Sequence, residues 1–254
     1  MILLLGGTTE AREIARVLRE MGQTVLLTVV TGYGAALAHD DAETHIGALE
    51  PATLAALVRT AEMVVDATHP FATVISQIAI AVCAENGVPY LRFERPGSAL
   101  PPDVLPAATA DAAAEAAVRL ADGGTIFLTV GSKTLLPYVT AARAAGTPLL
   151  ARVLPTADVL GACERLGLQP REMLAMQGPT SRELEEALLR HFAAAVLVTK
   201  ESGSAGGVLD KLDAAHAVGI PTVVVSRPRL AYPRVVGTVV EVLDYLRHSG
   251  AEKQ

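Results

Sequence analysis

Met1–Leu5 reads MILLL and runs directly into Gly6-Gly7-Thr8-Thr9-Glu10-Ala11-Arg12. Five apolar residues without a charge suit a strand covered on both faces, the kind found in parallel sheets. The glycines break that strand, and the residues after them open a helix. A strand, a glycine turn and a helix N-terminus in succession present unpaired backbone N–H groups at the positive end of a helix dipole, which suits a phosphate. The same build recurs at Thr129-Val130-Gly131-Ser132-Lys133 and at Thr199-Lys200-Glu201-Ser202-Gly203, continuing to Gly206-Gly207. Only four lysines exist in the chain, and two of them lie in these turns. The repetition points to an anionic nucleotide and an anionic substrate.

Outward from the first turn, strands and helices alternate. Apolar runs predict strands at Ile2–Leu5, Thr24–Val30, Met63–Asp66, Pro89–Phe93, Thr125–Val130, Pro148–Val153, Met173–Met176, Ala195–Thr199 and Thr222–Ser226. Helical spacing predicts helices at Glu10–Met21, Pro51–Arg59, Ala72–Asn86, Ala110–Ala121, Leu135–Ala145, Ala157–Leu166, Ser181–His191 and Val208–Val218. Several end in glycine, as in Asn86-Gly87 and Val218-Gly219, the expected helix stop. This alternation implies an α/β fold of right-handed βαβ units in doubly wound parallel sheets. The Pro/Gly run Arg95–Pro102 is the natural boundary between two Rossmann-like halves, 1–100 and 101–254. The last residues, His248–Gln254, read as a frayed tail.

Composition narrows the function. The 254 residues are 51% hydrophobic and 19% charged, which leaves little room for long disordered segments. Mean hydropathy is +0.38, yet no apolar stretch approaches the ~20 residues of a membrane span. MILLLGG lacks the basic region and long apolar run of a secretory signal. Cys83 and Cys163 stand alone, so neither a disulfide nor a metal is expected, and a reduced cytoplasm is the expected compartment. A net charge of −6 argues against general nucleic-acid binding, so positive charge for an anionic ligand must be gathered locally.

Each motif has a chemical and a structural reading. The first turn is not GxGxxG; it either cradles phosphate or is a tight connection with Thr9 as helix cap. Beyond the second strand, Thr28-Val29-Val30-Thr31-Gly32-Tyr33-Gly34 carries no acid to hold a ribose 2′-OH, which favours NADPH over NADH, with NADH still possible. Asp66-Ala67-Thr68-His69-Pro70-Phe71-Ala72 ends a strand, where open sheets bind ligands. His69 either projects as a proton donor or simply packs. Arg92-Phe93-Glu94-Arg95 reads equally as a carboxylate site or an internal ion pair. Gln177-Gly178-Pro179-Thr180-Ser181 is another strand-to-helix turn, and Ser226-Arg227-Pro228-Arg229 adds two cations after the last long strand. No GxSxG, HExxH or YxxxK pattern occurs, which counts against hydrolases and short-chain carbonyl reductases.

GGTTEAR, DATHPFA, RFERP, TVGSK, QGPTS, TKESGSAGG with the following Lys211, and GIPTVVVSRP occur in that order from Ile2 to about Pro228. Together they resemble the precorrin-6A reductase family of cobalamin biosynthesis. The resemblance implies two Rossmann-like domains with the active site in the cleft between them, and reduction of one C=C bond of the precorrin-6A macrocycle by a nicotinamide nucleotide to give precorrin-6B. The anaerobic branch of the family acts on the cobalt-containing equivalent. A non-catalytic nucleotide- or tetrapyrrole-binding module is the alternative from another class. Under this reading the N-terminal half holds NADPH through Gly6, Gly7, Thr8 and Thr9, supported by Thr31 and Tyr33. The C-terminal half holds the polyanionic tetrapyrrole; the alternative is that Lys200–Gly207 holds the nucleotide phosphates and the N-terminal turn takes the tetrapyrrole carboxylates. Arg12, Arg92, Arg95, Lys133, Ser132, Ser202, Gly203 and Arg227 are the expected substrate contacts, and His69 and Lys200 the candidate proton donors. Hand-over to neighbouring pathway enzymes is the only protein partnership implied; neither membrane, nucleic acid nor bound metal is expected.

Overall fold

The computed structural model describes residues 1–30, 43–95, 97, 100–202 and 207–251. In chain order the elements are β1 (Ile2–Leu5), α1 (Thr9–Glu20), β2 (Val25–Val29), β3 (Thr44–Ile46), α2 (Pro51–Thr60), β4 (Met63–Asp66), α3 (Thr73–Asn86) and β5 (Tyr90–Phe93). Then follow β6 (Val104–Ala107), α4 (Ala110–Ala121), β7 (Thr125–Leu128), α5 (Leu136–Ala145), β8 (Leu149–Val153), α6 (Ala157–Arg165) and β9 (Met173–Ala175). The chain ends with α7 (Arg182–His191), β10 (Ala194–Lys200), α8 (Val208–Val218), β11 (Thr222–Val225), β12 (Val235–Val236) and α9 (Val239–Ala251). Among the described residues no helix is long and apolar enough to cross a membrane.

Two compact units result: Met1–Pro96 with Pro228–Gln254, and Gly97–Arg227. The linker read at Arg95–Pro102 is therefore where the chain first changes unit, but residues 228–254 do not belong to the second domain as expected. They return to the first, because β12 pairs with β5 and α9 lays Val239, Val242 and Leu243 on the first sheet.

The first sheet runs β3-β2-β1-β4-β5-β12, with every pairing parallel. This is the dinucleotide-binding order, with β12 in the sixth place. Alternation along β1 explains why both faces need helices. Ile2 and Leu4 pack against Ala11, Ile14, Ala15 and Leu18 of α1 and against α9, whereas Leu3 and Leu5 pack against α2 and α3. The α1 contacts recur at helical spacing, so one stripe of that helix is apolar and its remainder polar.

The second sheet runs β9-β8-β7-β10-β11-β6, also wholly parallel. From β9 to β11 it repeats the spatial order of the first, and its sixth place is taken by β6. One face, carrying Phe127, Leu150 and Leu197, is covered by Leu188 and Leu189 of α7 and by Ala214 and Ala215 of α8. The nine predicted strands and eight predicted helices are all present, with ends displaced by a residue or two. Among the described residues, the strands and α-helix without a sequence prediction are β3, β6, β12 and α9. All three strands sit at sheet edges.

Candidate active site

In an open α/β sheet the ligand crevice lies beyond the carboxyl ends of the strands, where the strand order reverses. In the first unit that point falls between β1 and β4, and so between Gly6–Thr9 and Ala67–Phe71. Ala67 N–H donates to Leu5 O at 2.9 Å, and Thr8 Oγ1 donates to Ala67 O at 2.8 Å. The same Thr8 oxygen accepts from Ala11 N–H at 3.1 Å, so Thr8, and not Thr9, caps α1. Thr9 Oγ1 instead accepts from Arg12 Nη2 at 3.0 Å.

The turn itself demands glycine. A Cβ on Gly6 would lie 2.6 Å from Leu27 Cδ1 and 2.9 Å from Thr28 O, and Gly7 has a φ of +110° with open space where its Cβ would be. Backbone rather than side chain therefore faces the crevice at the start of α1, as a pyrophosphate requires. The residues present fit a dinucleotide phosphate. Thr31 and Tyr33, expected beside it, lie outside the described residues, as does Gly203.

His69 is exposed beyond β4. Its Nδ1 accepts from Phe71 N–H at 3.3 Å, which places the proton of the neutral ring on Nε2. Beneath it, Asp66 is wholly buried and accepts from Thr68 N–H and Oγ1, Ser76 Oγ, Tyr90 OH and Arg92 Nη1, at 2.6 to 3.0 Å. Burial, then the Asp66 charge, hold the Tyr90 hydroxyl above the ordinary phenol range, so it donates as a neutral group. Arg92 is also wholly buried; it bonds Asp66 and Glu94 and lies 5.1 Å from the Tyr232 ring centroid. The expectation that Arg92 contacts substrate is thus corrected: its charge is spent inside the first unit. Arg95, 44% exposed, pairs with Glu10 at 3.4 Å near the start of α1.

In the second unit the order reverses between β7 and β10, and the device at the first point recurs. Thr129 donates through both N–H and Oγ1 to Val198 O, at 2.8 and 3.2 Å. The turn after β7 carries Ser132, half-buried, and Lys133, exposed. At the end of β10, burial lowers the Lys200 ammonium to about 8. Ser202 folds back on Lys200 O at 2.7 Å. Arg227 donates through Nε to Glu201 O at 3.0 Å and through its N–H to the Glu201 carboxylate at 3.1 Å. Lys133, Ser132, Lys200, Ser202 and Arg227 are therefore all delivered to the carboxyl edge of one sheet, whereas His69 belongs to the first unit.

A group that sequence reasoning missed lies beside them. Arg152, in the middle of the apolar run LLARV, bonds Glu185 at 2.8 Å and Thr180 Oγ1 at 3.2 Å. Lys211 lies in the same environment, and burial followed by the Arg152 charge lower it to about 8. The signal was a cation inside a strand otherwise fit for burial. Two cavities of about 500 Å³ in this unit open instead at the amino ends of the strands, one at Thr125 and Leu149 and the other at Val104 and Thr222. They lie on the edge that open sheets leave to packing.

A model of the precorrin-6x reductase CbiJ/CobK family matches residues 1–247. The chain is 37% identical over 251 residues to the cobalt-precorrin-6A reductase of Priestia megaterium, spanning 97% of this chain and 98% of that protein. It is 35% identical over 247 residues to the precorrin-6A reductase of Rhodococcus erythropolis, spanning 95% and 94%. Among solved structures, CobK precorrin-6A reductase superposes with a TM-score of 0.77 at 26% identity, over 98% of this chain and 96% of that one. Matched along nearly its whole length by the family model, by these relatives and by a solved structure, the chain belongs to the precorrin-6x reductase CbiJ/CobK family.

Proposed function

We infer that this protein reduces one C=C bond of the precorrin-6A macrocycle to give precorrin-6B, using NADPH. The observation that carries the reading is the Gly6–Thr9 turn: a glycine cradle at the reversal point of a sheet in dinucleotide-binding order. Gly6, Gly7, Thr8 and Thr9 take the nucleotide pyrophosphate, with support from Thr31 and Tyr33. NADPH, when bound, supplies the hydride.

The chain's own part is binding, orientation and a proton. Lys133, Ser132, Ser202, Gly203 and Arg227 hold the tetrapyrrole carboxylates on the second unit, and Arg12 and Arg95 add positive charge on the first. Such contacts are charge-assisted and, for arginine, bidentate where geometry permits. Lys200 holds a proton on Nζ that it can release near neutral pH, and His69 offers one on Nε2. Cytoplasmic location and hand-over of product to the next pathway enzyme complete the reading.

The test is anaerobic oxidation of NADPH by the purified full chain, with metal-free and cobalt-containing precorrin-6A offered separately. Turnover with the metal-free substrate is expected. Turnover with the cobalt form alone would move the protein to the anaerobic branch, a second reading favoured by the name of the Priestia megaterium relative. Binding of both ligands without oxidation would reduce the protein to a carrier.

A further inference from the structure

The turn between β4 and α3 carries His69 beyond the first sheet, and its backbone is restrained on both sides of that residue. Before His69, Ala67 is tied to β1 and its turn: its N–H donates to Leu5 O at 2.9 Å, and its carbonyl accepts from Thr8 Oγ1 at 2.8 Å. After His69, Ala72 N–H donates to His69 O at 2.8 Å. Pro70 confines the His69 backbone to extended conformations. What remains is movement of the Thr68 peptide, and with it the direction in which the imidazole leaves the chain.

Thr68 is 8% exposed, although the next residue, His69, is exposed. Its N–H and its Oγ1 both donate to Asp66 Oδ1, at 3.0 and 2.7 Å, and the same Oγ1 accepts from Arg92 Nη1 at 3.1 Å. One turn residue thus fastens both its backbone and its side chain to a wholly buried ion pair. Hydrogen bonds to charged groups shielded from water are the strong ones. The two carboxylate oxygens divide their partners. Oδ1 serves the turn and Arg92, whereas Oδ2 serves Ser76 of α3 and Tyr90 of β5, both at 2.6 Å. Arg92 is in turn held by the segment returning from the chain's end. Its N–H donates to Arg234 O at 2.9 Å, and the Tyr232 ring lies 5.1 Å from its guanidinium carbon. The anchor to which Thr68 is fastened is therefore built from strands, a helix and the return segment, and not from the turn itself.

We propose that Thr68 is a positioning residue for the reaction: it pins the 67–71 turn to the Arg92–Asp66 pair and so fixes where His69 presents Nε2 to the ligand. The turn also sets the imidazole tautomer, since Phe71 N–H donates to Nδ1 at 3.3 Å. That bond is long and lasts only while the turn keeps its shape. A reacting group misplaced by about 1 Å can cost about a hundredfold in rate, so the residue that orients the donor's backbone has leverage on the chemistry. The inference rests on the proposed reductase reading, in which His69 offers the proton.

The test approaches one carboxylate from its two sides in the full chain. Thr68→Val removes the bonds made through Oγ1 and leaves the backbone donor to Asp66 in place. Tyr90→Phe removes one bond to Oδ2 and does not touch the turn. Both should lower the urea midpoint, so stability alone does not separate them. In turnover, Thr68→Val should lower kcat roughly tenfold to a hundredfold with the NADPH KM within about twofold, and Tyr90→Phe should keep both within about twofold. Thr68→Ser retains the hydroxyl and should restore kcat. Nitrogen-15 NMR of the imidazole on the protein alone reads the position of His69 without turnover. The Nε2–H tautomer should dominate the neutral ring in wild type, Thr68→Ser and Tyr90→Phe, and give way to a mixture in Thr68→Val. If the valine variant does not fold, Thr68→Ala makes the same cut without the added methyl. A kcat within twofold of wild type, or an unchanged tautomer, in the folded variant would overturn the role. A loss in Tyr90→Phe equal to that in Thr68→Val would overturn it as well. A tautomer change in a protein whose wild type never oxidises NADPH would uphold the positioning of His69 and sink the reductase reading.

Discussion

Asp66 shows how one charged residue is made to serve the fold beneath a ligand edge. A carboxylate with no exposed surface survives only if it is paired and hydrogen-bonded, and Arg92, Tyr90, Ser76 and Thr68 supply five donors. Replacing Arg92 with Leu strands that charge, so a loss of about 3–5 kcal/mol in urea unfolding is expected. Arg95→Leu, which breaks a pair that is nearly half exposed, should cost under ~1 kcal/mol. A KM defect in Arg92→Leu at unchanged stability would return that residue to the substrate site. Lys200 is a cation whose ammonium burial lowers to about 8. If its ammonium donates the proton, kcat/KM is flat below that pH and falls about tenfold per unit above it, because the donor form is the protonated one. Lys200→Gln should lose about 10²–10⁴-fold in rate and flatten that limb. A limb that persists in Lys200→Gln assigns the proton elsewhere.

The same hydroxyl device joins strand ends in both sheets: Thr8 to Ala67 O in the first, Thr129 to Val198 O in the second. Thr8 also caps α1, so Thr8→Ala should cost about 0.5–2 kcal/mol and raise the KM for NADPH, while Thr8→Ser keeps both functions. An unchanged nucleotide KM in Thr8→Ala would remove the turn from the cofactor site. These elements were legible because central strands such as MILLL and TVVV are uninterrupted apolar runs and their helices carry clear stripes. Edge strands send no such signal. β6 contains Pro106, which only an edge tolerates, β3 spans three residues and β12 two. Within the site, the glycine cradle was readable from backbone demands. The fate of Arg92 was not, since a strand-end arginine looks alike whether it faces a ligand or a buried aspartate. Arg152 could have been noticed as a charge inside LLARV, but its partner Glu185 lies thirty-three residues away and only the packed helices reveal it.

At the scale of the molecule, contiguity in sequence and membership of a unit part company. The first sheet is completed by β12 and α9 from the chain's end, after the whole of the second sheet has been made. Val242 of α9 is fully buried against the first core, with Val236, Val239, Leu243 and Leu246 packed around it. Full burial of one such side chain is worth ~1.5–3 kcal/mol, so a chain stopped after Arg227 loses much of one unit's stability and little of the other's. The protein carries its own reporters of this difference. Cys83 lies in α3 of the first unit, 1% exposed, its thiol pushed up to about 12 by burial and then by the Asp66 charge. Cys163 lies in α6 of the second unit, wholly buried and likewise raised by burial. A buried thiol reacts only when its surroundings open, so labelling rates read local stability. In the intact chain both thiols should label slowly. In the truncated chain Cys83 should accelerate at least roughly tenfold, although α3 covers the opposite face of the sheet from α9, while Cys163 changes by less than about threefold. Equal acceleration of both would show that the two cores unfold as one, and no acceleration of either would show that the returning segment adds nothing to the first.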